Sequence, residues 1–408
     1  MVGKPSKPSA MLRRKLNLPL LVLYGVGVTV GAGIYVLIGA TARESGMHAP
    51  LAFLVAAFVM AFSAASFAEL SARFPVSAGE AAYVEAGFNS RMLALLTGMA
   101  VIAAGIVSSA AISVGAVGYI REFVDLPPPV LTALVILGVA AIACWGILES
   151  VALAAIFTTI EVLGLLAIIV VGFGSNPEIL LRVGEIVPTT LDAGVWAGIA
   201  TSALLAFFAF IGFEDMVNVA EETIDPVRTM PRAIAITLVV STLLYVSVVF
   251  VAVTSVPLDE LGASTAPLAL VFERIGGLAP AAISAIAIVA TLNSVIVQVI
   301  MASRVIYGVA DRGQLPAIFR RIEPLTGTPV VATAAVAAII LVLALAFDIS
   351  SLAGMTSRLA LIIFTTVNVA LILLKRRAPA PSEGPNLPVW VPVTGAVLSL
   401  CLLLADLL

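Results

Sequence analysis

The chain has 408 residues, 61% of them hydrophobic and 11% charged, with a mean hydropathy of +1.17. Soluble domains carry about a quarter charged residues, so this composition excludes a water-soluble fold and points to a polytopic bundle in a lipid bilayer. The net charge of −3 comes with no basic patch for nucleic acid, and two cysteines in apolar runs with a single histidine, His48, offer no metal centre, disulfide framework or redox cofactor.

A spanning helix needs about 20 mainly apolar residues. Eleven such segments follow one another: 18–40, 49–72, 92–119, 129–148, 151–173, 194–222, 232–256, 277–307, 327–347, 350–374 and 389–406. The first follows a basic stretch, but it is too long for a signal-peptide core and closes on Arg43-Glu44, so it is read as a retained span. Lys and Arg set the orientation. With the N-terminus inside, 16 of the 21 basic residues fall on the inner side, leaving Arg43, Arg121, Arg182, Arg274 and Arg358 outside. The expected protein is multi-pass in the cytoplasmic (inner) membrane, N-terminus cytoplasmic, and eleven spans put the C-terminus outside.

In the first span, Gly25 and Gly27 read as helix-packing positions. Gly31-Ala32-Gly33 at mid-span is different, because each glycine weakens a helix by about 1 kcal/mol relative to alanine. A turn unwound there frees backbone N–H groups at the positive end of the following half-helix, a setting that favours a carboxylate. In the second span Glu69 and Arg73 are four residues apart on one helical face, an ion pair that anchors the interface or caps an inner gate. Residues 78–89 (AGEAAYVEAGFN) are too polar to span and predict a short interfacial helix. Pro127-Pro128-Pro129 makes an abrupt outer turn after the third span, whose small residues Ala103, Ala104, Gly105, Ser108 and Ser109 leave room.

The sixth span is apolar as far as Gly212-Phe213, then places Glu214-Asp215 at membrane depth. A carboxylate at the bilayer centre costs roughly 2.5–3.5 kcal/mol and must face protein or water. Glu214 is therefore either an acceptor for N–H groups freed by a break at Phe210-Ile211-Gly212 or a coupling or gating group. The two breaks lie five spans apart, and an odd number of spans inverts the second half relative to the first. Paired interruptions of this kind are a sequence pointer to a transporter site. Glu221-Glu222 ahead of Arg228 and Arg232 form an inner charge cluster, and Thr291, Asn293 and Ser294 bring polar groups to the middle of the eighth span. The Pro379/Pro381/Pro385/Pro388 stretch is a stiff linker to the last helix.

The run GVGVTVGAGIYVLIG (25–39) resembles the first-span signature of the amino acid–polyamine–organocation (APC) superfamily, and FFAFIGFEDMVNVAEETIDPVRTMPRAI (207–234) is similar to its sixth span and following loop. FAELSARFPVSAGEAAYV (67–84), TLNSVIVQVIMASRVIYGVADRGQLP (291–316) and TPV (328–330) agree in order. The resemblance implies a leucine-transporter-type five-plus-five inverted repeat: a cytoplasmic tail (1–17), spans 1–5 (18–173), spans 6–10 (174–376), then a linker and an eleventh span (377–408). It also implies that amides around Gly31, Ala32 and Gly33 hold a substrate α-carboxylate. The carbonyls of Phe207, Phe208 and Phe210, in the break that includes Gly212, would receive the α-ammonium, with Phe208 as an aromatic gate. Where many relatives carry a lysine in the fifth span in place of a sodium ion, FTTIEVLGLL (157–166) presents Glu161, which either holds a proton or a cation there or is a fixed structural carboxylate paired with a neighbouring span.

The expected function is secondary active transport of amino acids by alternating access, with proton-coupled symport favoured and sodium as the other coupling ion. Exchange of an amino acid against an amine or polyamine is the alternative, and a channel-like facilitator suits a single central site less well. No Ser/His, Cys/His, di-Asp or HExxH constellation lies at membrane depth, so an enzyme is not expected.

Overall fold

A computed structural model describes residues 16–31, 33–76, 79–145, 151–276, 280–311, 315–377 and 383–405. The tail ahead of residue 16, Ala32, Ala78, Arg312, Pro379 and Pro381 lie outside the described residues. The described chain is helical throughout. In order the α-helices are α1 (Leu18–Val30), α2 (Gly33–Ser45), α3 (Ala49–Arg73), α4 (Gly79–Phe88), α5 (Arg91–Ile120), α6 (Pro128–Trp145), α7 (Val151–Ser175) and α8 (Ala193–Phe210). They continue as α9 (Pro226–Ser255), α10 (Leu258–Ala263), α11 (Pro267–Arg274), α12 (Pro280–Asp311), α13 (Val330–Ala346), α14 (Ile349–Arg377) and α15 (Trp390–Ala405). Eight stretches of described residues are long and apolar enough to cross a membrane, with α1, α13 and α15 as shorter apolar helices beside them. The protein is an all-α polytopic membrane protein.

Local chemistry sets the helix starts. The Asn17 side chain accepts from the Leu20 amide at 3.1 Å, with Pro19 in the first turn of α1. Ser90 caps α5 through the Leu93 amide at 3.3 Å, and Asp192 caps α8 through the Gly194 and Val195 amides at 2.7 and 3.2 Å. Prolines at the beginning of α3, α6 and α9 cost nothing, because first-turn N–H groups have no intrahelical acceptor. The polar segment after α3 forms the ten-residue α4, too short to span a bilayer. Two helices in the connection after α9, α10 and α11, carry no spanning signal in the sequence; α10 packs on α2, where Arg43 donates to the Gly262 carbonyl at 2.6 Å.

The helices sort into two packed groups. α1, α3, α8 and α9 pack on one another around Phe53, Phe67, Phe210 and Tyr245, while α5, α6, α12 and α13 enclose a second apolar cluster around Ile106, Val295 and Val336. α14 touches both, contacting α5 as well as α3 and α8. At the end of the molecule that is rich in Lys and Arg, Leu16 pairs with the chain after the second break: its amide donates to the Glu222 carbonyl at 3.0 Å, and the Ile224 amide to its own carbonyl at 2.8 Å.

Candidate functional site

Both helix interruptions lie at the expected residues. α1 stops at Val30 and α2 begins at Gly33. α8 stops at Phe210, Ile211 is extended (φ −65°, ψ 133°), Gly212 takes φ +126°, and a 3₁₀ segment, Phe213–Glu222, follows. A φ of this sign is open to glycine and strained for other residues.

The two breaks are packed against each other. A Cβ on Gly33 would collide with the Ala209 backbone, and one on Gly212 would lie 2.8 Å from the Val28 carbonyl oxygen. The Tyr245 hydroxyl, from α9, sits 2.7 Å from the Thr29 carbonyl and 2.9 Å from the Ala209 carbonyl. One hydroxyl hydrogen thus serves two carbonyls at the C-terminal ends of α1 and α8, and both retain capacity to accept. The Tyr245 ring is held edge-on by Phe210 and Phe53, with centroids 5.0 and 5.9 Å away.

Backbone bookkeeping refines the expected donors and acceptors. The Gly31 amide donates to the Gly27 carbonyl at 3.0 Å and so continues α1; N–H groups without an intrahelical acceptor belong instead to the first turn of α2, from Gly33 onward. The Phe208 carbonyl accepts from the Ile211 amide at 3.1 Å. The Gly212 amide donates to Glu214 Oε2 at 2.8 Å, so Glu214 takes up one donor released by the break. Phe207 and Phe210 are fully buried, Phe207 against Phe364. Phe208 is buried in the second apolar cluster with Val36, Ile106 and Leu352.

A cavity of about 80 Å³ opens beside the second break, bounded by Ile211, Glu214 and Asp215, by Gly105 and Ser108 of α5, and by Gln298 of α12. It shares Glu80, Val101, Ile102, Met301 and Val305 with a wider depression of about 820 Å³ that reaches Arg91. A third depression, about 410 Å³, is lined by Val36, Arg43, Arg121 and Asp348. The layer around Phe208 includes Val36 from this depression and Ile102 from the cavity, and so lies between the two.

Glu161 is fully buried on α7, and neither carboxyl oxygen has a hydrogen-bond partner. Its Oε2 is 3.5 Å from the point a Gly31 Cβ would occupy, and the same point lies 2.5 Å from Ser294 Oγ and 2.7 Å from the Gly27 carbonyl. Three oxygens therefore converge where a side chain is missing. A void of about 40 Å³ lined by Tyr24, Gly27, Thr158, Asn293, Ser294 and Gln298 adjoins them. Tyr35 fixes this part of α7 by donating to the Glu161 backbone carbonyl at 2.8 Å.

Glu69 stands apart from these groups. The expected Arg73 pair is present, with Nε and Nη2 at 3.0 and 2.6 Å from Oε1, but Lys375 Nζ also lies 2.6 Å from that oxygen and the Leu387 amide donates to Oε2 at 2.8 Å. The buried carboxylate ties α3 to α14 and to the linker before α15. Gln298 is a central residue that the sequence reading passes over: its amide joins Ser109 Oγ at 2.9 Å and Ser108 Oγ at 3.3 Å, bridging α12 to α5. Its position four residues after Ser294, on the same helical face, was the available signal. Local sequence carries no comparable mark for Glu80 or Tyr245.

The amino acid permease family matches residues 16–407. The chain is 33% identical over 391 residues to the vacuolar cationic amino acid transporter 4 of Arabidopsis thaliana, covering 90% of this chain and 64% of that protein. It is 32% identical over 423 residues to the cationic amino acid transporter 4 of Homo sapiens (96% and 65%), and 27% over 419 residues to a branched-chain amino acid permease of Bacillus subtilis (96% and 88%). The chain thus spans less than two thirds of the length of the cationic amino acid transporters it matches. The matched names include cationic and branched-chain amino acids and, at 27% identity over 407 residues, a methylthioribose transporter of Bacillus subtilis (94% and 86%). With two broken helices packed against each other and a family match over nearly the whole chain, this is a multi-pass membrane protein of the amino acid permease family, within the APC superfamily.

Proposed function

We propose that the chain is a secondary active transporter that carries amino acids across the cytoplasmic membrane by alternating access. The observation that carries this reading is the contact between the two breaks. The Gly33–Ala209 contact and the Tyr245 hydroxyl bring the first turn of α2 and the C-terminal carbonyls of α1 and α8 together, offering an anion and a cation their matching backbone ends, and the cavity lies on the side of the second break. In this reading the amides from Gly33 and its neighbour Ala32 take the α-carboxylate, and carbonyls in the Phe207–Phe210 turn take the α-ammonium. Spans 1–5 (18–173) and 6–10 (174–376) form the two inverted repeats, the segment 377–408 adds an eleventh span, and the Lys/Arg-rich end faces the cytoplasm. The depression of about 820 Å³ then makes this an inward-open form, closed toward the outside by Phe208.

Coupling is assigned to Glu161. A buried carboxylate with no partner is costly as an isolated charge, so it carries a proton or pairs with a cation. Its contact with the Gly31 turn puts that occupancy beside the substrate's anion site, which favours proton-coupled symport with sodium as the competing ion. Glu214 holds the arrangement of the break, and Glu69 is the gating group of the inner end. Exchange against an amine is the second reading.

The test is uptake of labelled amino acids into proteoliposomes under an imposed proton gradient, a sodium gradient or internal substrate. Accumulation driven by the proton gradient supports symport. Uptake that depends only on internal substrate supports the exchanger, and no amino acid uptake under any condition rejects the proposal.

A further inference from the structure

The cavity beside the second break carries three carboxylates, Glu80, Glu214 and Asp215, and no Lys, Arg or His among its described lining residues. Glu214 and Asp215 come with the break itself. Glu80 arrives from α4, and Gly79 makes that approach possible. Gly79 takes φ +43°, and a Cβ there would lie 2.9 Å from both Val217 and Asn218, so the start of α4 abuts the 3₁₀ segment that carries the other two carboxylates.

Glu214 is engaged by the Gly212 amide, whereas Glu80 keeps one oxygen without a partner. It is only 4% exposed, and its Oε1 is buried without a hydrogen-bond partner. Phe364 adds an aromatic surface to the same cavity and is held by Phe207 and Phe213, with ring centroids 5.9 and 5.5 Å away. Crowded carboxylates, one with an oxygen left unpartnered, are costly in a closed space. A cation relieves that cost, gains charge-assisted hydrogen bonds and is further attracted by an aromatic face.

Resting on the amino acid transport proposed above, we infer that Glu80, together with Asp215 and Phe364, reads the substrate's side chain and selects one that ends in a guanidinium or ammonium group. The breaks recognise what all amino acids share. Family membership leaves the side chain open, and the wall of the cavity closes that choice. Glu80 lines both the cavity and the wider depression, so the cationic end of the substrate also meets it on the way between them.

The experiment compares arginine with citrulline, its uncharged near-isostere, and lysine with norleucine, in proteoliposomes of the full chain. Wild type is expected to prefer each cationic substrate by about tenfold or more, the scale of a lost charge-assisted hydrogen bond. Glu80→Gln should bring the ratios toward one, and Glu80→Asp should recover part of the preference. Asp215→Asn serves as the second variant, with the same expected loss, if Glu80→Gln is not monodisperse on size exclusion. Equal uptake of arginine and citrulline by wild type, or unchanged ratios in the folded variants, overturns this assignment while leaving amino acid transport standing. Absence of uptake for every amino acid overturns both.

Discussion

Gly33 and Ala209 touch backbone to backbone: a Cβ on Gly33 would lie 2.7 Å from the Ala209 Cβ and closer still to its Cα. This contact fixes how the first turn of α2 sits on the last turn of α8. Gly33→Ala has no flexible neighbour to displace and should cost about 1–3 kcal/mol as an overpacking change. Thermal unfolding in detergent should show the loss. Gly105→Ala, in the interior of α5 with an added Cβ that meets nothing within 4 Å, should hold or raise the midpoint.

Tyr245 is the second fastening between the breaks. Tyr245→Phe keeps the ring contacts with Phe53 and Phe210 but removes the hydrogen that Thr29 and Ala209 share. Loss of about 1–2 kcal/mol is expected, because buried carbonyls lose a donor without gaining water. An unfolding midpoint equal to wild type would show that the hydroxyl contributes nothing.

Glu69, Arg73 and Lys375 make a buried ionic cluster, with Glu69 fully buried and the two basic side chains 8% and 6% exposed. Breaking such a cluster by one partner costs about 3–5 kcal/mol. Lys375→Met and Glu69→Gln should each be destabilising, and the double variant should lose less than the sum of the two. A double-mutant cycle on unfolding midpoints gives the coupling directly.

Glu161→Gln should abolish the stimulation of uptake by an inward proton gradient while keeping substrate-driven exchange. Uptake with the same dependence on the proton gradient as wild type would remove Glu161 from the coupling step.

Glu80 lies on α4, outside the spans, and burial, with the charge of Asp215 adding, pushes its carboxyl from 4.5 up to about 8. A folded-state value above the unfolded one means that the fold favours the neutral form. Its stabilising contribution is complete below about pH 4.5 and is lost as pH rises through about 8. The unliganded protein should therefore unfold at progressively lower temperature across that interval, and Glu80→Gln should flatten the profile.

The parts of the molecule legible in sequence are those with a local cause. Gly31 to Gly33 and Phe210 to Gly212 are sites where glycine interrupts an apolar run, and the helices stop there. Glu69 and Arg73 pair because helical geometry brings residues four apart together. Residues 79–88 are too polar to span and form a short helix, which packs against α5 and α14. What stayed hidden depends on distance in sequence. Lys375 reaches Glu69 across 306 residues, and Tyr245 serves carbonyls 216 and 36 positions away, with no periodicity to announce either. α10 and α11 are too short to persist as isolated helices and gain their stability from tertiary contact. Glu161 was visible as an anomaly; the oxygens beside it come from α1 and α12, which only folding assembles.

The pairing of Leu16 with the chain around Thr223 has a mechanical meaning. α1 begins two residues after Leu16, and the 3₁₀ segment ends just before Thr223, so two hydrogen bonds stitch together the half-helices that follow and precede them. A force that draws one away from the inner end drags the other or unzips the stitch. In the transport cycle proposed above, the opening stroke is then shared between the two breaks, and cargo fused close ahead of Leu16 would load both at once.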